Sequence, residues 1–459
     1  MRRFALAAAL LCGTAHAAPL TPAQLSAIDA AANDTLRLTG VPAASIAIVK
    51  DGQVAVTRAY GLAEISPRRP ATPAMVFSIG SVSKQFTVAL VMLLVQDGKL
   101  SLDDKVGKYL PNLTRANDTT VRQLLSHTAG YQDFWPEDYS PLAFRKPTTP
   151  QAILANWAQK PLDFEPGTQW QYSNTGYAAA ALIAEKAGGA PFFEQLQKRI
   201  LTPLHMTHAI DYNTYGIPKG GPVGYERYGF GPPRPAPKDQ PGWSYGSGEL
   251  AMPAGDLALW DISLINQTVL TPASYAIMET EAKLKGGAGT GYALGLDVAS
   301  RGGHKMISHS GEETGFVSEN DVFPDDHAAV VVLTNQDASR AASVIATRVA
   351  TIAFGIPSTL PKDKQAAQVL SLLGQLAGGS IDMKQLNANC QSYFSPAVLA
   401  DYQASLSKLG PVLGVHELIS EPRGGMVFHA YDVTYPAQKI RVTTYALADG
   451  RLGQLLVEP

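Results

Sequence analysis

Cysteine is nearly absent from this chain: 459 residues contain two, Cys12 and Cys390. Cys12 falls in a segment that reads as a removable leader, which leaves Cys390 alone. An internal disulfide and a cysteine-built zinc site are both excluded for the mature chain. Charge of one sign is also lacking. Lys and Arg total 37 against 39 Asp and Glu, for a formal net charge of -2, and neither sign forms a long block. That balance gives no support for a nucleic-acid partner or an anionic membrane surface. The apolar run Phe4 to Leu11 is too short to span a bilayer, so no integral membrane segment is expected once the leader is removed. No cofactor is expected either.

The leader itself is legible. Met1-Arg2-Arg3, the apolar run behind it and Ala15-His16-Ala17 have the charged, hydrophobic and cleavage-site pattern of a secretory signal peptide over residues 1–17. Leu11 before Cys12 argues against lipid attachment, because a small residue is needed there. A large exported chain without disulfides points to a bacterial periplasmic or secreted protein stabilised by its core. Hydrophobic residues make up 46% of the chain, ample for such a core, and the length predicts two or three domains.

Hydrophobic spacing predicts a helix over 22–36 with Thr21 as its cap. A hairpin follows over 44–61, turning at Asp51-Gly52. Further helices are expected over 121–130, 152–159, 177–187, 253–266 and 339–354. Residues 169–172 read as a short extended piece, and strands as 292–298, 305–309, 315–323 and 328–334. Strands at both ends with helices between them predict one antiparallel sheet assembled from the two ends, an α+β layered domain over 18–356. Residues 357–366 read as a linker. Helices at 365–376 and 396–409, then strands at 414–421, 425–434, 440–447 and 452–457, predict a separate small α+β domain over 367–459. Its outline is similar to nuclear-transport-factor-like or cystatin-like folds. The stretch 212–243, dense in Gly, Pro and Tyr, reads as a long functional loop at a substrate rim.

The chain is organised around Ser78-Ile79-Gly80-Ser81-Val82-Ser83-Lys84-Gln85-Phe86 and the apolar run to Val95. A helix apolar on every face is a buried one. Ser81 and Lys84, three apart at its start, share a face, with free N–H groups and the positive end of the helix beside them. Serine needs a base before it becomes a nucleophile, and a lysine whose pKa falls on burial is one. A Ser-x-x-Lys match is expected on the order of once by chance in a chain this long. Ser405-Leu406-Ser407-Lys408 is a second one, read as ordinary helix residues.

Two more motifs follow in order: Tyr172-Ser173-Asn174 after a Pro-Gly turn, and His309-Ser310-Gly311 on a predicted strand. The ordered trio resembles the serine β-lactamase and penicillin-binding-protein superfamily. Leu124 to Gly130, Tyr172 to Tyr177 and Gly246-Ser247-Gly248-Glu249-Leu250 are similar to its class C-related branch. The likeness spans roughly residues 20–355 and implies a β-lactamase/transpeptidase-like fold, an antiparallel sheet flanked by helices with a helical subdomain.

It also implies roles. Ser81 is the acylated nucleophile, and Lys84 and Tyr172 share the general-base work, each lowering the other's proton affinity. Asn174 orients Lys84 and the substrate amide. The backbone N–H groups of Ser81 and Glu312 form the oxyanion hole, and Gly311 lets a substrate backbone approach the strand edge. Lysine usually stands where this chain has His309. A neutral imidazole there suits an ester or peptide better than an anion, which favours an esterase or D-amino-acid peptidase or carboxypeptidase over an efficient β-lactamase. The expected partner is thus a small-molecule or peptide substrate, and no oligomeric state can be read.

Two other readings stand beside this one. The first is a non-catalytic protein that keeps the fold to bind peptidoglycan or a partner. The second is a metal hydrolase built on His304, His309 and Glu312 with His127 and His327, although their spacing matches no established metal signature. Asp163 and Glu165 can be imagined as a carboxylate pair, but beside Pro166-Gly167 they read as turn residues.

Overall fold

The computed structural model describes residues 19–357, 367–412, 414–423, 426–447 and 449–458; the expected leader, and the expected linker beyond Pro357, lie outside them. The N-terminal hairpin consists of β1 (Ala43–Lys50) and β2 (Gln53–Glu64), extended by the short β3 (Arg69–Pro70). Late in the domain come β4 (Asp297–Arg301), β5 (His304–Glu313), β6 (Phe316–Phe323) and β7 (Ala328–Thr334). These seven strands form one sheet in the order β3-β2-β1-β7-β6-β5-β4. The two ends of the domain meet where β1 pairs antiparallel with β7, Ala44 opposite Thr334 and Ile48 opposite Val330.

Both faces of the sheet centre are covered, and this explains the nearly unbroken apolar runs of β1 and β7. On one face Ile46, Ile48, Val330 and Val332 meet α1 (Pro22–Thr39) and, at the other end of the domain, the helix Ala341–Phe354. On the opposite face Ala47, Val49, Val331 and Leu333 meet the larger core. That core is built on α2 (Ser83–Gln96), α3 (Asn174–Gly188) and α4 (Ala254–Asn266), with α5 being the Ala341–Phe354 helix already named. Helix α2 is buried from Ser83 to Leu94 without a break, as an all-apolar helix must be.

Two expected strands take another form. Residues 292–296 are loop rather than strand, turning through positive φ at Gly291 and Gly295. They are apolar because Tyr292, Leu294 and Leu296 are buried in the core, and a Cβ at Gly295 would sit 3.0 Å from the carbonyl oxygen of Lys84. Residues 169–172 join no sheet; Tyr172 makes a single bridge, to Arg423. The predicted helix 152–159 is one α-turn, Pro150–Ile153, continued as a π-turn over Leu154–Ala158.

The second domain has the expected order. Helices α6 (Ala367–Ala377), α7 (Ala388–Tyr393) and α8 (Pro396–Leu406) precede a four-stranded meander of β8 (Gly414–Arg423), β9 (Met426–Thr434), β10 (Lys439–Ala446) and β11 (Leu452–Glu458). It has its own core, with Leu372, Tyr402, Val433 and Leu455 inside. Cys390 is buried there as a free thiol. The long loop splits its work: Trp243 is buried at the first domain's cavity, while Tyr228 and Phe230 pack on the second domain's core. Phe230 N donates to Ser405 Oγ at 2.8 Å, so that serine is a docking residue and its Ser-x-x-Lys match carries no chemistry. Among the described residues no helix is long and apolar enough to cross a membrane.

Candidate active site

A 3₁₀ turn, Gly80–Val82, leads into α2 and carries Ser81. It is pressed against β5 at backbone contact. A Cβ at Gly311 would lie 2.1 Å from Ile79 O, and one at Gly80, whose φ is +48°, would lie 2.6 Å from Glu312 N. Ser318 Oγ donates to Ile79 O at 2.8 Å and fixes the turn from below. Only glycine fits at both places, and their closeness sets the Ser81 turn beside the backbone N–H of Glu312. Gly311 therefore serves the approach of the serine turn, not only that of a substrate.

Lys84 is fully buried. Its Nζ lies 2.9 Å from Ser81 Oγ, 2.8 Å from Asn174 Oδ1 and 3.0 Å from Ser247 O. Burial brings its amine down from 10.5 to about 7, against the opposing pull of the Asp133 and Glu313 carboxyls. The neutral amine has two N–H donors and one lone pair. Asn174 Oδ1 and Ser247 O can only accept, so they take both N–H groups and leave the lone pair facing the Ser81 hydroxyl. Asp133 fixes the orientation of Asn174: it accepts Asn174 N at 3.0 Å and Asn174 Nδ2 at 3.3 Å. Burial pushes the Asp133 carboxyl up to about 6.

Tyr172 is half-buried on the cavity wall and hydrogen-bonded with Ser81, and desolvation raises its phenol well above 10. The expectation that Lys84 and Tyr172 each lower the other's proton affinity thus fails for Tyr172. Desolvation disfavours a phenolate as it does an ammonium, which favours a neutral amine at Lys84 and a phenol at Tyr172. Lys84 Nζ sits 4.8 Å from the centre of its ring.

His309 is buried and burial takes its imidazole down to about 3, which keeps it neutral. Both ring nitrogens are used inside the protein. Nδ1 donates to Ser310 O, and Nε2 accepts from the Tyr292 hydroxyl at 2.9 Å. It therefore forms part of the wall and holds Tyr292, where the sequence reading had it bonding the substrate. Ser310 and Gly311 line the cavity, and so does Glu312, whose side chain turns to accept Ala338 N at 2.7 Å.

The metal reading gathers no ligand set. His304 pairs with Asp326 at 2.9 Å, His309 with Tyr292, and His127 Nδ1 accepts Ser173 N at 3.0 Å. Among the described residues no three His, Cys, Asp or Glu side chains converge. Glu165 is ion-paired with Arg115, and Asp163 is bonded to Gln171.

The cavity in front of Ser81 measures about 340 Å³. Trp135, Trp170, Trp243 and Tyr292 line it, with Asn174 and Ser247. Two further lining residues, Arg423 and Phe428, come from the second domain. Sequence reasoning missed Asp133, Ser247 as a carbonyl acceptor, and Arg423. Ser247 lay within a quoted motif; Asp133 sits in an aperiodic aromatic stretch, and Arg423 in a strand of another domain.

The family profile described as Beta-lactamase matches residues 28–354. Among curated relatives, Protein flp of Staphylococcus aureus (strain N315) is 29% identical over 321 residues, 67% of this chain and 62% of its own length. The chain thus spans about 62% of the length of that relative. The putative penicillin-binding protein PbpX of Bacillus subtilis (strain 168) is 27% identical, over 63% of this chain and 69% of its own. The structure of the octameric penicillin-binding protein homologue from Pyrococcus abyssi aligns with a TM-score of 0.64 at 22% identity, covering 95% of this chain and 100% of that one. D-amino acid amidase from Ochrobactrum anthropi SV3, complexed with D-phenylalanine, aligns at 0.64 and 24% identity, covering 72% and 98%. Both structural likenesses are likenesses of fold.

Proposed function

We propose that this chain, which belongs to the Beta-lactamase family, is an exported serine hydrolase that cleaves an ester, peptide or amide through an acyl-enzyme on Ser81. The observation that carries the assignment is the Lys84 amine, brought to about 7 by burial and placed 2.9 Å from Ser81 Oγ. Export rests on the composition of residues 1–17 alone.

In the proposed reaction Ser81 Oγ attacks the substrate carbonyl carbon while its proton passes to the neutral Lys84 Nζ. The N–H groups of Ser81 and Glu312 receive the developing oxyanion, each such donor contributing about 3 kcal/mol in comparable sites. Collapse of the tetrahedral species breaks the bond to the leaving alcohol or amine. Tyr172, a phenol held at Ser81, gives that group a proton and regains one from Lys84. Water then attacks the acyl-enzyme and Lys84 takes its proton; as the acyl bond to Ser81 Oγ breaks, Lys84 returns that proton to Oγ and the acid product leaves.

Small amides and esters of the D-amino-acid type, after the printed name of the amidase that shares this fold, are the substrates to test. Purified protein offered such compounds should hydrolyse them, and Lys84→Ala should reduce kcat by about 10³ or more. Turnover that survives the loss of Lys84 contradicts the assignment of the base.

A further inference from the structure

We propose that the second domain completes the active site, with Arg423 as a substrate-binding residue that takes a carboxylate of the substrate. This rests on the serine-hydrolase reading above and names a feature of what that site accepts. Arg423 ends β8 and meets the catalytic domain directly: its backbone bridges Tyr172, and its guanidinium lies 5.0 Å from the centre of the Tyr172 ring. Among the described residues lining the cavity it is the one arginine or lysine.

The guanidinium is held but not saturated. Nη1 donates to Asp138 Oδ1 at 3.1 Å and to the Tyr445 hydroxyl. Nε is shut off from solvent and has no acceptor among the described residues. The side chain as a whole keeps 25% exposure, so that a ligand in the cavity can reach it. Arginine presents its donors as a planar fork matched to two carboxylate oxygens. Nη1 is committed to Asp138 and Tyr445, and the exposed part of the fork is what a second carboxylate can reach. Burial raises the Glu312 and Glu313 carboxyls well above the usual carboxylate range, which weakens their repulsion of an incoming anion. His309, neutral and internally bonded, leaves Arg423 as the fixed cation of the cavity.

The test uses the full-length protein and two pairs of synthetic esters. Each pair compares a free carboxylate with its carboxamide, on the acyl side in one pair and on the leaving-group side in the other. The wild type should prefer the carboxylate in at least one pair by about tenfold or more in kcat/KM. Arg423→Gln combined with Asp138→Asn, which leaves no unpaired carboxylate behind, should erase the preference mainly by raising KM. Arg423→Lys, which keeps the charge but not the fork, should retain part of it and serves if the double variant does not fold. No preference in the wild type, or a preference that survives the loss of Arg423, overturns the inference. Labelling of Ser81 by a fluorophosphonate is followed alongside: a labelled enzyme without preference refutes the role of Arg423 alone. An unlabelled wild type refutes the hydrolase reading and this inference with it.

Discussion

Four groups decide the chemistry at residue scale: Ser81, Lys84, Asn174 and Asp133. Ser81 and Lys84 were legible because three-residue spacing on a helix fixes their proximity whatever the tertiary fold. Asp133 was not, because what it does depends on a loop folding back to bond Asn174. The pH dependence follows from these groups. In the proposed reaction the base is the neutral amine of Lys84, so activity should rise as pH increases through about 7. The negative charge of Asp133 favours the protonated amine. Asp133→Asn should therefore release the proton more readily and move the acidic limb of the kcat/KM profile to lower pH. His309, held to about 3, is neutral on both sides of that limb, and His309→Gln should leave its midpoint in place. A limb that follows His309 and ignores Asp133 contradicts this electrostatic account.

At the scale of elements, the decisive contact is that of the Gly80–Val82 turn with β5. An alanine at Gly311 brings its Cβ to 2.1 Å from Ile79 O, a backbone atom that cannot swing away. Gly311→Ala should cost about 1–3 kcal/mol in stability. It should also lower kcat by about 10²-fold with a smaller change in KM, as the two oxyanion donors separate. Calorimetry and steady-state kinetics check the two halves, and a wild-type kcat would show that the oxyanion site is built elsewhere. Regular elements were legible where period and caps agreed. Helix α1 has Thr21 bonded to Gln24 N as its cap, β1 and β2 turn at Asp51-Gly52, and the meander of the second domain matches its predicted strands closely. Residues 292–296 misled because apolar residues that roof a buried helix look like a strand in sequence.

At the scale of the molecule, the second domain is docked rather than tethered. Tyr139 stacks on Tyr393 with ring centres 5.0 Å apart, Asp138 accepts from Gln454 Nε2 at 3.1 Å, and Arg234 pairs with Asp401. None of this was legible, since the partners lie hundreds of positions apart and no local pattern encodes them. The helices-then-strands order of the second domain was visible, but its approach to the cavity appears only once β8 is seen to bring Arg423 to the lining. With so many contacts across the boundary, the two domains should unfold in one calorimetric transition. Tyr139→Ala, which removes the stack and the hydroxyl bond to Gly453 O, should lower that transition or split it. Two well-separated transitions in the wild type contradict a docked arrangement.

The central claim is that Ser81 becomes acylated. Intact-mass measurement after exposure to a fluorophosphonate, a penicillin and an activated short-chain ester tests it most directly. The account predicts one adduct per chain with the fluorophosphonate, located on Ser81 and lost in Ser81→Ala, while Ser405→Ala labels as the wild type does. An adduct that persists in Ser81→Ala, or no adduct with any reagent, contradicts it and returns the protein to a binding role.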